Sequence, residues 1–187
     1  MARTRTRRNI PGNRSEGFQP TRNVSDSFEF TIQQSVWLFP ACIAVHFLEE
    51  AFGFATWARS HISPRYTYAH WRKVHGLGLV SALAASAVVS LWTRPVPIFL
   101  FTALFLTPMV FNSLFHLGTS VFFRRYSPGT TSALVLFPAV CWHVVSTSSH
   151  AGLLSAGGVL AATVIGAAFH TIDLASTTFF LHGKPPR

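Results

Sequence analysis

Within the apolar run from Val36 to Trp57 stands His46-Phe47-Leu48-Glu49-Glu50, two adjacent carboxylates and an imidazole where hydrocarbon side chains would be expected. An acidic side chain at the centre of a membrane helix costs about 2.5–3.5 kcal/mol on insertion scales, so ionisable groups there mark function by default. On a helix His46 precedes Glu49 and Glu50 by three and four residues, the spacings that share a face. That arrangement suits a metal ion or a proton relay. Adjacent glutamates diverge by about 100° around a helix. One can therefore face a site while the other pairs with a neighbouring helix, and Glu50, a full turn from His46, is the expected inward group.

Further along, Asn112 and His116 stand at i,i+4 and His170 and Asp173 at i,i+3, again in apolar surroundings. His75 and His143 are the remaining histidines within apolar segments. Five spans would position these groups: about Gln34 to Ala58, Val74 to Trp92, Ile98 to Phe123, Thr131 to Thr147 and Leu153 to Leu181. Span two is rich in small residues (Gly76, Gly78, Ala82, Ala84, Ala85, Ser86), which let helix backbones approach closely in lipid. Pro95 and Pro97 turn the chain into span three, which Pro108 is expected to kink a turn before Asn112. Tyr126-Ser127-Pro128-Gly129 reads as a tight turn.

With spans alternating in direction, Arg59, Arg72, Lys73, Arg124 and Arg125 share one membrane face. Measured from it at about 1.5 Å per residue, Glu50 lies roughly 13 Å deep, His116 roughly 12 Å and Asp173 roughly 16 Å. Three helices thus bring their buried ionisable groups to one layer. His75, a residue or two inside that face, is expected as a lid. His143, nearer the opposite face, is expected to bond a neighbouring helix outside the site. Buried polar groups can also simply hold helices together, a reading that fits Asn112 better than paired carboxylates.

The stretch HFLEEAF, followed by Asn112-x-x-x-His116 and Tyr126-Ser127-Pro128-Gly129, resembles the HXXEE-domain family of small polytopic membrane proteins, over roughly Val36 to Pro138. The resemblance implies an all-α transmembrane bundle and the same candidate residues, with little chemistry attached.

Composition agrees with a membrane bundle. The chain has 187 residues, 49% hydrophobic and only 11% charged, against about 25% charged in soluble domains. Mean hydropathy is +0.36. The expected organisation is a disordered basic tail at 1–33, a helical domain at 34–182 and a short polar tail at 183–187. Arg7-Arg8 has no apolar segment within reach to make a twin-arginine signal, and an organelle transit peptide is an alternative for the tail. The net charge of +9 lies in tail and loops rather than on a basic patch interleaved with aromatics, which argues against nucleic acid and for anionic lipid headgroups. Trp57, Tyr66, Tyr68 and Trp71 suit the membrane interface. Cys42 and Cys141 fall inside spans and say nothing about disulfides. The positive-inside rule puts the C-terminus in the cytoplasm, opposed by the arginines of the N-terminal tail. The expected location is the plasma membrane of a prokaryote.

Three functions fit these residues. In a metal-assisted membrane enzyme, His46, Glu49 or Glu50, His116, and His170 or Asp173 would hold a divalent iron, manganese or zinc, with Asn112 orienting a ligand or adding an oxygen of its own. Neither desaturase-type histidine boxes nor HExxH is present. In a metal-free isomerase or cyclase, a buried Glu50, tuned by Glu49 and His46, would exchange protons with a lipid or isoprenoid substrate, and some of the 18 phenylalanines would steady a cation. The third is a carrier, an assembly factor or a proton-coupled transporter. Five spans without a duplicated half disfavour the usual transporter plan, unless a homo-oligomer completes it.

Overall fold

A computed structural model describes residues 30–182. The expected N-terminal tail falls mostly, and the 183–187 tail wholly, outside the described residues. The described chain is all-α, in the order α1 (Ile32–Ser35), α2 (Leu38–Ala51), α3 (Phe54–His61), α4 (Tyr68–Leu91), α5 (Pro95–Phe101), a π turn (Thr102–Leu106), α6 (Thr107–Phe123), α7 (Thr130–His150) and α8 (Ala156–His182). Four helical segments are long and apolar enough to cross a membrane: α4, the continuous α5–π–α6 rod, α7 and α8. A fifth arises if α1–α2 and α3, bent by 66° at the break, make one span.

Local chemistry sets these boundaries. Thr31 and Gln34 form a reciprocal capping box that opens α1. Thr67 accepts the His70 amide and starts α4 at Tyr68, six residues before the expected Val74. Pro95 occupies the first turn of α5, where its missing N–H costs nothing. Arg124 ends α6 in the left-handed region at φ 52°, and Gly129, at φ 96°, leads into α7.

α2 packs against α4 and α7, while α6 packs against α7 and α8. The main core, including Phe39, Ile43, Phe101, Leu106 and Phe137, fills the space between them. A second cluster joins Phe54, Trp57, Ala58, Tyr66 and Trp71. Three of the four aromatics expected at the membrane interface are therefore buried. Once α3 folds back at the break after α2, it covers the first turns of α4, and only Tyr68 stays exposed.

The distortion expected from Pro108 is a π turn just before it. Thr107 donates its hydroxyl among the Thr102 carbonyl at 3.0 Å, the Ala162 carbonyl at 3.1 Å and the Ala103 carbonyl at 3.4 Å, tying the loosened turn to α8. The fit leaves no space for a side chain on α8: a Cβ at Gly166 would collide with the Thr107 hydroxyl and lie 3.0 Å from the Ala103 carbonyl.

Candidate metal centre

The helical spacing of His46 and Glu50 holds, and both side chains are buried, 2% and 3% exposed. His46 Nε2 lies 3.4 Å from Glu50 Oε1. From α6, His116, 1% exposed, brings its Nε2 to 3.2 Å from the same oxygen. From α4, His75 Nε2 is in close contact with the other carboxylate oxygen, Oε2. Trp71 Nε1 also donates to Oε2, at 3.1 Å. Three imidazoles on three helices thus converge on one carboxylate.

The far nitrogens of the rings are all engaged outward. His75 Nδ1 donates to the Trp71 carbonyl at 2.8 Å. A carbonyl only accepts, so the ring proton sits on Nδ1 and Nε2 presents a lone pair to Glu50. His46 Nδ1 meets the Ser132 hydroxyl at 3.0 Å, and that hydroxyl in turn donates to the Gly129 carbonyl at 3.3 Å, which makes His46 the donor in their bond. His116 Nδ1 bonds the Ser127 hydroxyl at 3.2 Å. Neutral His46 and His75 in this arrangement aim lone pairs at a carboxylate, and only a cation or a proton between them relieves the repulsion, whereas the hydroxyl partner of His116 leaves its tautomer open.

The donor set fits a divalent metal. His46, Glu50 and His116 each offer one ligand atom, all within 4.8 Å of one another. Donors about 2.0–2.1 Å from a shared tetrahedral ion lie roughly 3.3 Å apart. The His46–Glu50 and His116–Glu50 separations match that figure. Outward hydrogen bonds that fix the tautomer and aim the ring are also what ligating histidines make.

The turn at 126–129 closes over the cluster. Ser127 is fully buried, its amide donating to Ser120 Oγ at 3.0 Å. At Gly129 a Cβ would fall 2.7 Å from His46 Cε1, 2.8 Å from Glu50 Cγ and 2.9 Å from His116 Cε1, so no larger residue fits there. Glu49 takes the other role foreseen for an adjacent carboxylate. Half-buried, it accepts the Ser132 amide at 2.8 Å and the Thr131 amide at 3.2 Å, and Tyr126 donates its hydroxyl to it. A carboxylate at a helix N-terminus satisfies free N–H groups and opposes the helix dipole. Glu49 thus anchors α7 so that Ser132 and Gly129 reach the cluster.

A cavity of about 510 Å³ opens from the cluster, mostly apolar, with Phe39, Phe47, Phe105 and Phe169 among its lining. Asn112, His170 and Asp173 line it too. Tyr66, in the connection between α3 and α4, is another wall residue; burial, then the charge of Glu50, push its phenol above the usual range and keep it neutral.

Of the residues singled out from sequence, the structure brings together His46, Glu50 and His116, keeps Glu49 outside as an anchor, and sets Asn112, His170 and Asp173 along the cavity. His75 is no lid. Because α4 begins at Tyr68, His75 lies about two turns inside the helix and touches Glu50 directly. His143 bonds Ser35 at 2.9 Å, outside the site as expected. Trp71, Ser127 and Ser132 were not anticipated. The signals available were Trp71 one turn before His75, and serines flanking the Pro-Gly turn.

A family model described as "Protein of unknown function with HXXEE motif" matches residues 37–143. That stretch contains His46, Glu49, Glu50, His75, His116 and the turn at 126–129, and ends before α8. No curated protein and no solved structure matches the chain. With the match covering more than half its length, the chain belongs to the HXXEE family.

Proposed function

We propose that the chain is an integral-membrane enzyme that holds a divalent metal (iron, manganese or zinc) on His46, His75, His116 and Glu50, and acts on a lipid or isoprenoid-like substrate in the adjoining cavity. One observation carries the reading: three Nε2 atoms, each on a ring tethered through Nδ1, point at a single buried carboxylate. Helix-to-helix glue would be met by ordinary donor–acceptor pairs and gains nothing from aligned lone pairs. When bound, the ion supplies Lewis-acid chemistry, and with iron or manganese redox chemistry, at the inner end of the cavity. The protein's own part is to exclude water with phenylalanine and to fix the donor rings. Trp71 donates to the carboxylate, and Tyr66 lines the cavity beside it.

A second reading rests on the close His75–Glu50 contact, with Trp71 donating to the same oxygen. Without a metal, that pair shares a proton, and Glu50 exchanges it with an olefin, epoxide or enol. Elemental analysis of detergent-purified protein separates the two. Stoichiometric metal in wild type, lost in both His46→Ala and His116→Ala, is the expected result. Wild-type protein that stays metal-free after incubation with iron, manganese and zinc salts would give the site to the proton-exchange reading.

A further inference from the structure

α8 carries the polar groups that the cluster does not use. His170 Nε2 is buried without a hydrogen-bond partner among the described residues. Asp173, one turn along on the same face, is exposed in an otherwise apolar helix and lines the same cavity. A carboxylate left in hydrocarbon is costly, and an imidazole nitrogen without a partner adds to that cost. Both groups call for a ligand that donates one hydrogen bond and accepts another.

The two helices flanking this part of the cavity leave a way in. α4 packs on α1, α2, α3 and α5, and α8 on α5, the π turn and α6, without extensive contact between α4 and α8. Gly78 and Ser81 of α4 and Phe169 and Asp173 of α8 nonetheless line one cavity. The lining on the α4 side includes the small residues Gly78 and Ser81 beside Val74, and Phe169 on the other side is half exposed.

Building on the lipid-substrate reading, we propose that the gap between α4 and α8 is a lateral portal from the bilayer, and that His170 and Asp173 hold the hydroxyl of a long-chain alcohol whose chain occupies the aromatic part of the cavity. A hydroxyl matches both groups: its proton goes to the Asp173 carboxylate and its lone pair accepts from the imidazole N–H. A protonated amine would only donate and a carboxylate would be repelled by Asp173. Asn112, on the same cavity wall as His116, serves the hydroxyl from the side of α6.

The test uses full-length protein in lipid nanodiscs and a diazirine-bearing palmityl alcohol, with its methyl ether as control and labelled peptides mapped by mass spectrometry. Labelling of α4 and α8 peptides by the alcohol is expected, with the ether weaker by about tenfold, the value of a hydrogen bond to a charged group. Asp173→Leu and His170→Leu, apolar replacements suited to a membrane helix, are expected to weaken labelling about tenfold each, and Ser81→Trp to block it, all with metal content unchanged. Equal labelling by alcohol and ether, or undiminished labelling in both α8 variants, would overturn the proposal. His116→Ala is expected to lose metal yet keep labelling, and loss of both would overturn an alcohol site independent of the centre. Metal-free wild type that still labels at α4 and α8 would remove the metal reading and leave this one standing.

Discussion

Glu50 Oε2 and His75 Nε2 face each other as two acceptors, because the Trp71 carbonyl holds the only proton of a neutral His75 ring on Nδ1. The pair is at rest only with a cation or a proton between its members. Every test of the centre turns on which of the two it is.

Glu50→Gln preserves shape while replacing the carboxylate oxygen that two histidines approach. Bound metal and activity are expected to vanish. The metal-free variant should melt in detergent at or above the temperature of metal-free wild type, since a buried charge has been exchanged for an amide. Full activity with intact metal would remove Glu50 from the site.

His75 tests whether the centre has three protein ligands or four. His75→Ala should weaken metal binding clearly, by titration against a competing chelator, whereas a lid residue would leave affinity unchanged and alter only substrate access. His143→Ala, which removes the bond to Ser35 and the edge contact with Phe30, is the control and should retain metal.

Glu49→Ala removes the partner of two amides at the start of α7. A loss of about 0.5–2 kcal/mol is expected, as for other N-terminal caps, read as a lower melting temperature with metal still bound at saturating concentration. Loss of stoichiometric metal at unchanged stability would make Glu49 a ligand instead.

Ser127→Ala and Ser132→Ala each release the outward nitrogen of one histidine. Loss of such supports typically costs 10–100-fold in metal affinity, and about that much is expected here. Gly129→Ala should be harsher, since its methyl would overlap both rings and the Glu50 side chain. Circular dichroism should show the helices retained while the metal is lost. Wild-type affinity in all three variants would separate the turn from the centre.

The sequence carried the rows of polar residues and little of what orients them. His46 and Glu50 were legible because i,i+4 on a helix is a local relationship, and His116 because its depth could be counted from Arg124. His75 was not, since its place depends on where α4 begins. A run holding Arg72 and Lys73 reads as loop, yet Thr67 caps it as helix and Trp71 tucks beneath α3. The bend after Ala51 was equally hidden, because Phe52-Gly53 interrupts the apolar pattern by a single glycine. The roles of Gly129 and Ser132 depend on contacts between segments some eighty residues apart, and that of Ser127 on a turn that folds back onto His116, none of which a periodicity records.

The π turn at Thr102–Leu106 has a consequence for how the centre is inherited. A π turn accommodates one residue beyond the α-helical count, and each α-helical residue advances the chain by about 100°. The half of the rod that packs near α4 and the half that bears His116 are therefore out of phase with each other, and the surplus residue is what aims the imidazole inward. Deleting Ala103 would straighten the rod into regular helix and swing His116 about 100° from Glu50 without altering one ligand. In this chain, the aim of the His116 imidazole is encoded as an insertion three turns upstream.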